Sequence, residues 1–269
     1  MDPVILLAVI ALGLIAGTMG GMFGIGGGVI LFPVLTIALH MDPVVAAGSN
    51  LVGIVATSAG SGIRRIRNGT ANIRLGIMLE IPTVIGAIIG AVLAAAVDGR
   101  YIIVVFAFVM LYSGIKMIKP MDYRTAPADG PYSYYDEAEG REIRYSVDNK
   151  NVGLPLCAFA GAISSFTGVG GGAIKVPIMN LGMHIPLKVA TATSSYMIGL
   201  TAFTGALIYL VTGQVMLEVA AAVAVGTYFG GMLGSKIADR THTQDLKKYM
   251  SVLYLAIFVL MLVKLGGFL

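Results

Sequence analysis

Long apolar runs separated by short polar turns make up most of the chain. A helix rises about 1.5 Å per residue, so about 20 apolar residues cross the roughly 30 Å of hydrocarbon in a bilayer. Six unbroken runs have about this length and are predicted to be transmembrane helices. They are Val44–Ile63, Leu75–Val97, Ile102–Ile118, Leu187–Val211, Val215–Ala238 and Tyr249–Leu265.

Two further apolar runs, Pro3–Leu39 and Val152–Met183, are interrupted by clusters of glycine. Each interior glycine costs a helix about 1 kcal/mol relative to alanine, so several together break it. A proline follows each cluster by five residues, Pro33 in the first run and Pro177 in the second. Each run is therefore predicted to form a re-entrant helical hairpin. The glycines at the two breaks are Gly24, Gly26, Gly27 and Gly28 in the first run and Gly168, Gly170, Gly171 and Gly172 in the second.

The two halves of the chain repeat each other at an offset of 144 residues, which places Gly24 on Gly168. Apolar matches are common by chance in such a chain, but glycine, proline and histidine matches in one register indicate an internal duplication. The further matched pairs are Gly17 with Gly161, Gly26 with Gly170, Gly27 with Gly171, Gly28 with Gly172, Pro33 with Pro177, His40 with His184, Gly69 with Gly213, Gly86 with Gly230 and Gly90 with Gly234.

The charges in the turns predict that the two repeats lie in opposite orientations. The turn between Ile63 and Leu75 carries four arginines and no acid, whereas its counterpart near Gly213 has no basic residue. The basic turn that follows Ala238 in the second repeat likewise has a nearly neutral counterpart near Asp98 in the first. Because short basic loops stay cytoplasmic, equivalent loops are expected on opposite sides of the membrane. Three spans plus one re-entrant hairpin in each repeat satisfy this, with both termini extracytoplasmic. Four full spans in each repeat, which would make the repeats parallel, is the alternative.

The composition fits a protein whose solvent is the bilayer. Hydrophobic residues make up 57% of the chain and charged residues 12%, against about 25% charged in soluble domains. We therefore expect a multi-pass protein of the cell (plasma) membrane. The basic residues lie between apolar runs and indicate topology rather than nucleic-acid binding. The single cysteine, Cys157, excludes an internal disulfide, and the start at Met1 has no basic region typical of a signal peptide.

The chain divides into a first transmembrane repeat at 1–119, a connector at 120–150 and a second transmembrane repeat at 151–269. The connector is the one long polar stretch, and it combines seven acidic residues with five tyrosines. The segments Tyr132–Glu137 and Glu142–Val147 flank a Glu-Gly pair, which predicts a small β-hairpin. We expect a soluble, cytoplasmic connector; a regulatory or partner-binding role is the alternative.

The candidate binding site lies where the glycine clusters break the helices. Broken helices at membrane depth must face protein or a water-filled cavity, and their free N–H groups attract anions. The first halves of the next spans offer hydroxyl and amide groups, which could bind an oxyanion. Close helix packing through glycine, and back-bonding of Ser and Thr to their own helix, are the competing interpretations. The polar candidates are Ser49 and Asn50 in the first repeat and Thr193, Ser194 and Ser195 in the second.

Lys175 is the most unusual charge, since it lies inside an apolar run where the first repeat has Leu31. An ionisable residue at membrane depth is costly and suggests function, so we expect it to attract the anion; snorkelling to the interface is the alternative. His40 and His184 are expected to be interfacial caps. Glu80 and a second acid, Glu218, are weak candidates for proton coupling. No catalytic residue, metal site or cofactor is predicted.

The motif Gly24-Ile25-Gly26-Gly27-Gly28-x4-Pro33 and its echo at 168–177 resemble the sulfite exporter TauE/SafE family of membrane permeases. In both repeats a tripeptide similar to Gly-Thr-Ser follows, here Gly48-Ser49-Asn50 and Ala192-Thr193-Ser194. The resemblance covers nearly the whole chain apart from the connector. It implies transport of sulfite, sulfonates or other small sulfur-containing anions. The departures at Asn50 and Ala192 leave the exact substrate open.

These observations predict a secondary transporter that carries a small anion, such as sulfite or sulfoacetate, by alternating access. A proton is the candidate coupling ion, and the bilayer is the other expected partner. A passive anion channel would share the same fold. An intramembrane enzyme is disfavoured, because the sequence has no HExxH motif, no paired intramembrane aspartates and no serine with a suitable histidine on a facing span. Direction of transport and oligomeric state are left open.

Overall fold

The computed structural model describes residues 3–118 and 131–266. Nearly all of this part of the chain is helical, with one short antiparallel hairpin. The elements are α1 (Pro3–Phe23), α2 (Gly28–Ile37), α3 (Pro43–Arg67), α4 (Ile73–Ala95), α5 (Gly99–Ile118), β1 (Tyr132–Asp136), β2 (Arg141–Tyr145), α6 (Lys150–Thr167), α7 (Gly172–Pro177), a π-helical turn (Ile178–Gly182), α8 (Leu187–Val211), α9 (Leu217–Arg240) and α10 (Thr243–Leu265).

The predicted class is confirmed: the protein is an all-α, multi-pass membrane protein. Seven helices of the described part are long and apolar enough to cross a membrane. Six of them, α3, α4, α5, α8, α9 and α10, coincide with the six predicted spans, and α1 is the seventh. Local chemistry fixes several helix starts. The Asp42 carboxylate accepts the Val44 N–H at 2.8 Å where α3 begins, and Asn72 accepts the Leu75 N–H at 3.0 Å where α4 begins.

Each repeat packs its first helix against the third long helix of the other. Helix α1 lies along α9, and α6 lies along α4 in the equivalent way. Glycine makes both contacts close. A Cβ at Gly17 would collide with the backbone of Thr227, and one at Gly161 would collide with the backbone of Thr83, the residue equivalent to Thr227. Small residues let membrane helices approach in this manner, so the glycine spacing that the two repeats share has a packing role.

Helices α3 and α8 form the centre of the molecule and run antiparallel. Ser58, in the second half of α3, donates to the Ser195 carbonyl near the start of α8 at 2.6 Å, while Gly48 near the start of α3 packs on Tyr209 near the end of α8. Because α3 and α8 are equivalent in the two repeats, this packing supports the inverted arrangement, which stays a prediction.

The hairpin prediction for the α1–α2 segment also gains support. Arg65, near the end of α3, reaches the carbonyls of Gly21 and Met22 at the end of α1, so α1 and α3 point the same way. Helix α2 must therefore lead the chain back, and at 10 residues it is too short to cross by itself. The length of α1, 21 residues, is nevertheless that of a full span.

The β-hairpin predicted in the connector is confirmed, with Tyr132 paired to Tyr145 and Asp136 paired to Arg141. Residues 119–130 of the connector lie outside the described part, and the boundaries at 119 and 150 stay predictions. The hairpin docks on Lys188 at the start of α8 and on Asn72 before α4. Lys188 also donates to the Asp239 carbonyl near the end of α9, and Asp239 pairs with Arg64 near the end of α3. We call the side where α3 and α9 end, which carries Arg64, Arg67, Lys236 and Arg240, the basic end. The Asn72 amide donates to the buried Tyr145 hydroxyl at 3.0 Å.

Candidate functional site

The two glycine clusters lie against each other inside the protein. In each cluster the chain leaves one helix and starts another through residues with positive φ, among them Gly27 (φ 77°) before α2 and Gly171 (φ 69°) before α7. A Cβ at Gly172 would collide with the carbonyl of Gly24 and with Cα of Ile25. Residues 24–28 and 168–172 are all buried. The structure therefore brings the eight predicted glycines into one closed region.

Asn50 and Ser194 hold these two breaks together across the repeats. The Asn50 amide donates to the Gly168 carbonyl at 2.7 Å and to the Gly28 carbonyl at 3.0 Å. The Ser194 hydroxyl donates to the Gly24 carbonyl at 2.7 Å. Asn50 and Ser194 are equivalent residues, and so are Gly168 and Gly24. Each repeat thus ties down the end of the broken helix of the other.

The remaining predicted hydroxyls bond to the backbone. Ser49 accepts the Met216 N–H and Thr193 accepts the Asn72 N–H, both at 2.9 Å, and these contacts are again related by the repeat. They fix the starts of α9 and α4. Ser195 donates to the Thr191 carbonyl one turn earlier at 2.8 Å. These three side chains lie one or a few residues from Asn50 or Ser194 in sequence, but their hydrogen bonds do not reach the glycine breaks.

Several buried polar atoms near the second break have no hydrogen-bond partner within the described part of the protein. They are Asn50 Oδ1, Ser164 Oγ and Ser165 Oγ. Ser164 lies against Gly171, and Ser165 lies against Gly205 on α8. Buried polar groups are nearly always hydrogen-bonded, so such a group calls for water or a ligand. Asn50 Oδ1 and Ser164 Oγ are therefore unpaired polar atoms beside the breaks, while the unpaired Ser165 Oγ faces α8.

The sequence places Arg65 in a basic turn whose charges indicate membrane orientation, but in the structure it is a buried cation. Its side chain is 1% exposed, and its guanidinium donates to the carbonyls of Gly21 (2.6 Å) and Met22 (3.0 Å) and to the Thr191 hydroxyl (3.0 Å). No carboxylate of the described residues lies within ion-pair distance, and Nε has no hydrogen-bond partner there. Arg65 therefore brings a positive charge to the end of the first broken helix.

Lys175 is fully buried, so it does not snorkel to the interface. Its Nζ lies 3.0 Å from Glu80 Oε2 on α4 and donates to the Thr201 hydroxyl on α8 at 2.7 Å. Thr201 in turn donates to the second carboxylate oxygen of Glu80. Lys175 is thus part of a closed buried triad rather than a free cation. The partner that the sequence did not predict is Glu80, which lies on a different repeat.

The histidines occupy equivalent left-handed positions just before the spans, with φ 49° at His40 and φ 55° at His184. Both lie at helix ends as predicted, but neither is the capping residue. The N-cap positions of α3 and α8 belong to Asp42 and Pro186. His184 Nδ1 lies 3.5 Å from a carboxylate oxygen of Asp148.

The hairpin is held at the basic end by a buried ion pair. Lys188 Nζ lies 2.6 Å from Asp136 Oδ1, with both side chains nearly inaccessible. Burial raises the pKa of the neighbouring Tyr145 to about 12, although the hydrogen bond from Asn72 lowers it somewhat. The Tyr145 phenol is therefore neutral at physiological pH.

The family model described as Sulfite exporter TauE/SafE matches residues 9–261. The chain belongs to this family. The match includes all seven span-length helices in whole or in part, both glycine breaks and the buried charges of the site.

Relatives with similar lengths agree with the family assignment. TauE/SafE proteins similar to this chain include the probable membrane transporter protein YunE of Bacillus subtilis, which is 29% identical over 92% of this chain and 94% of its own length. A probable membrane transporter protein of Methanocaldococcus jannaschii is 25% identical over 90% of both chains. No solved structure matches the chain significantly. The protein is therefore a membrane transporter of the TauE/SafE family, a permease of the plasma membrane.

A signal for Arg65 was present in the sequence of this TauE/SafE protein. On one helix, residues three or four apart share a face. The buried face of α3 carries Asn50, Ile54, Ser58, Ser61 and Arg65 at such spacings. Ending the span at Ile63 concealed this relationship, since α3 continues to Arg67. The ion pair between Glu80 and Lys175 had no comparable signal, because the two residues lie 95 positions apart and have no equivalents in the other repeats.

Proposed function

We propose that this TauE/SafE protein is a secondary transporter that carries a small sulfur oxyanion or organosulfonate, such as sulfite or sulfoacetate, by alternating access. Two broken helices that meet inside a repeated membrane fold are the usual architecture of a secondary-transporter site. In such a cycle, the burial of residues 24–28 and 168–172 would correspond to an occluded state. Transport then requires the contact between residues 24–28 and 168–172 to open toward one side at a time.

The observation that carries the proposal of an anionic substrate is the state of Arg65. Burying a charge without a counter-charge costs several kcal/mol, so proteins seldom keep one without a use for it. Arg65 is bonded to two backbone carbonyls and a hydroxyl, all of them neutral. Asp239 acts on it only from beyond ion-pair distance, and that carboxylate is already paired with Arg64. An anion bound nearby would supply the missing negative charge. A guanidinium also suits a planar or tetrahedral oxyanion, because its N–H groups can bind two oxygens at once.

The glycine breaks would contribute neutral donors to the same anion. Helix α2 begins after Gly27 without a side-chain cap, which leaves its first N–H groups directed into the break. Ser164 and Ser165 each have a hydroxyl without a partner in the described part of the protein. Neutral donors and one cation would bind an oxyanion tightly enough for uptake into the site and weakly enough for release. The predicted residues Gly24, Gly26 and Gly170 would act mainly as the flexible backbone that makes room for the anion.

We further propose that a proton is the coupling ion and that Glu80 carries it. The Glu80–Lys175 pair is buried: the amine bonds directly to Glu80 Oε2, and the Thr201 hydroxyl bridges the amine to Oε1. Protonation of Glu80 would free Lys175 from its counter-charge. The lysine could then attract an anion, as the sequence predicted for it. Proton binding would in this way favour anion binding, which is the requirement for co-transport.

Flux into proteoliposomes tests the proposal. Sulfite, sulfoacetate, sulfate and chloride are compared with and without a proton gradient, and Arg65→Gln is compared with Arg74→Gln. Arg74 is an exposed arginine at the same end of the molecule. We expect saturable flux of one sulfur anion, accelerated by the proton gradient and lost in Arg65→Gln alone. Flux that never saturates would instead indicate a channel. No flux of any of the four anions would reject the sulfur-anion assignment.

A further inference from the structure

A cavity of about 680 Å³ lies between the ends of α3 and α9 at the basic end. Arg64, Arg67 and Lys236 all line it. Arg64 is paired with Asp239 at 3.2 Å, whereas Arg67 and Lys236 have no ion-pair partner among the residues that the structure describes. The cavity therefore presents two uncompensated positive charges. It is separate from the glycine breaks, because its lining comes only from the outer faces of two helices.

The position of this cavity shows that it faces lipid rather than the interior. Its lining includes Ile63 and Leu233, whose side chains are 52% and 50% exposed on the surface of the protein. Large apolar side chains with that exposure in a membrane protein contact the bilayer. The guanidinium and ammonium groups thus lie where the apolar belt ends. This is the depth at which lipid phosphates are found.

The basic cavity continues into an apolar groove. Ala59 lines both it and a second cavity of about 510 Å³ between α3, α8 and α9, whose lining side chains are all apolar. Small residues form much of the floor of this groove, including Ala56, Ala220 and Ala224. The alanines leave a trough along α3 because larger side chains are absent there. A basic pocket at the interface and an apolar trough leading away from it match the two parts of a phospholipid.

We propose that this surface is a specific site for one anionic phospholipid. The lipid phosphate binds Arg67 and Lys236, and one acyl chain lies in the groove between α3, α8 and α9. A zwitterionic headgroup fits less well, because its ammonium group would approach the same two cations. Basic pockets between membrane helices are known to bind anionic headgroups. The bound lipid would join α3 of the first repeat to α8 and α9 of the second.

Binding to the purified full-length protein in a neutral detergent tests the site. The probes are dioleoyl phosphatidylglycerol and dioleoyl phosphatidylcholine, and the readouts are retained lipid by native mass spectrometry and the midpoint of thermal unfolding. Arg67→Gln/Lys236→Gln is compared with Arg74→Gln/Arg240→Gln, which removes the same charge from exposed positions outside the cavity. At about 1 kcal/mol for each basic residue, we expect the first pair to weaken phosphatidylglycerol binding about 30-fold. The control pair should change it little. Equal loss in both pairs would overturn the proposal in favour of a diffuse electrostatic attraction.

A second variant tests the apolar part of the site and does not touch the charges. Ala59→Leu narrows the passage between the basic cavity and the groove, and Ala59 is exposed, so folding should be preserved. We expect weaker binding of dioleoyl phosphatidylglycerol and unchanged binding of its short-chain dihexanoyl analogue. Inorganic phosphate at the same concentration should give little stabilisation. Stabilisation by inorganic phosphate equal to that by the lipid would reject the phospholipid and leave a site for free phosphate.

Discussion

Lys175 and Glu80 form an ion pair of 3.0 Å that joins α7 of the second repeat to α4 of the first, with both side chains buried. The pair connects the short helix that follows the second glycine break to a long helix of the other repeat. Movement of the break must therefore either carry α4 along or separate the two charges. In a low-dielectric interior, separation is costly unless the carboxylate is first neutralised.

Removing one member of this pair should destabilise the protein much more than removing both. Glu80→Gln leaves the Lys175 ammonium buried without a counter-charge, and we expect a loss of about 3–5 kcal/mol in the free energy of unfolding. Glu80→Gln/Lys175→Met should recover most of that loss while abolishing acceleration of flux by a proton gradient. Thermal unfolding in detergent and proteoliposome flux measure the two effects. Proton-driven flux that survives in the double variant would show that the pair is not the coupling site.

The glycine breaks should tolerate no side chain where they face Ile54. Gly170 has φ 83°, and an added Cβ would lie 2.8 Å from Ile54 Cγ2. Gly170→Ala should therefore abolish transport, while Gly170→Ala/Ile54→Ala should restore part of it. Gly213→Ala is the matched control. Gly213 has φ 72° but no atom within 4 Å of an added Cβ. Gly213→Ala therefore adds only the strain of a left-handed backbone, about 1–2 kcal/mol. Equal loss of flux in Gly170→Ala and Gly213→Ala would mean that strain alone, rather than crowding of the site, is responsible.

We expect that Asn50 can be replaced by another residue that donates a hydrogen bond, but not by a residue with a carboxylate. Its amide donates to two carbonyls, and Ser194 makes the equivalent bond with a hydroxyl. Asn50→Ser should thus retain measurable flux. Asn50→Asp would place an anion against two carbonyl oxygens and should cost at least about 2 kcal/mol of stability together with all transport. Parallel loss in Asn50→Ser and Asn50→Asp would contradict a role based on donation.

Arg65 should be needed for binding of the anion more than for folding. A bound ligand raises apparent stability by mass action, so sulfite should raise the unfolding temperature of the native protein. The increase should disappear in Arg65→Gln and persist in Arg240→Gln, which changes an exposed arginine. A sulfite-dependent increase that persists in Arg65→Gln would remove Arg65 from the site.

The hairpin should detach when its ion pair is broken. Asp136→Asn leaves the Lys188 ammonium buried with a weaker partner, whereas Glu142→Gln changes an exposed acid on the same hairpin. We expect faster amide hydrogen exchange in residues 132–145 for Asp136→Asn and no change for Glu142→Gln. Unchanged exchange in Asp136→Asn would show that other contacts, such as that of Tyr145 with Asn72, are sufficient.

The sequence predicted the elements of this fold better than the contacts of its site. Spans such as α4 and α8 could be predicted because the bilayer demands a fixed length of apolar residues, and the hairpin because its turn chemistry is local. The repeat could be found because glycine is required at equivalent close contacts, as at Gly17 and Gly161.

The partners of the buried charges were not predictable in the same way. Lys175 stood out because an ionisable residue is rare in an apolar run, but Glu80 is selected by the tertiary arrangement of α4 and α7. Arg65 was hidden for a different reason. Three arginines in four positions suggest a loop, and only the true end of α3 shows that one of them faces inward.

Each repeat packs its first helix on a helix of the other, so the order of synthesis limits when these contacts can form. Helix α1 is synthesised before α9, which packs on its glycine face and begins only at Leu217. Until α9 has been synthesised, Gly13, Gly17 and Gly21 lack the backbone surface that they contact in the folded protein. The first repeat cannot complete its own structure alone. The contact between α1 and α9 can therefore form only once the second repeat has supplied the surface on which the first one packs.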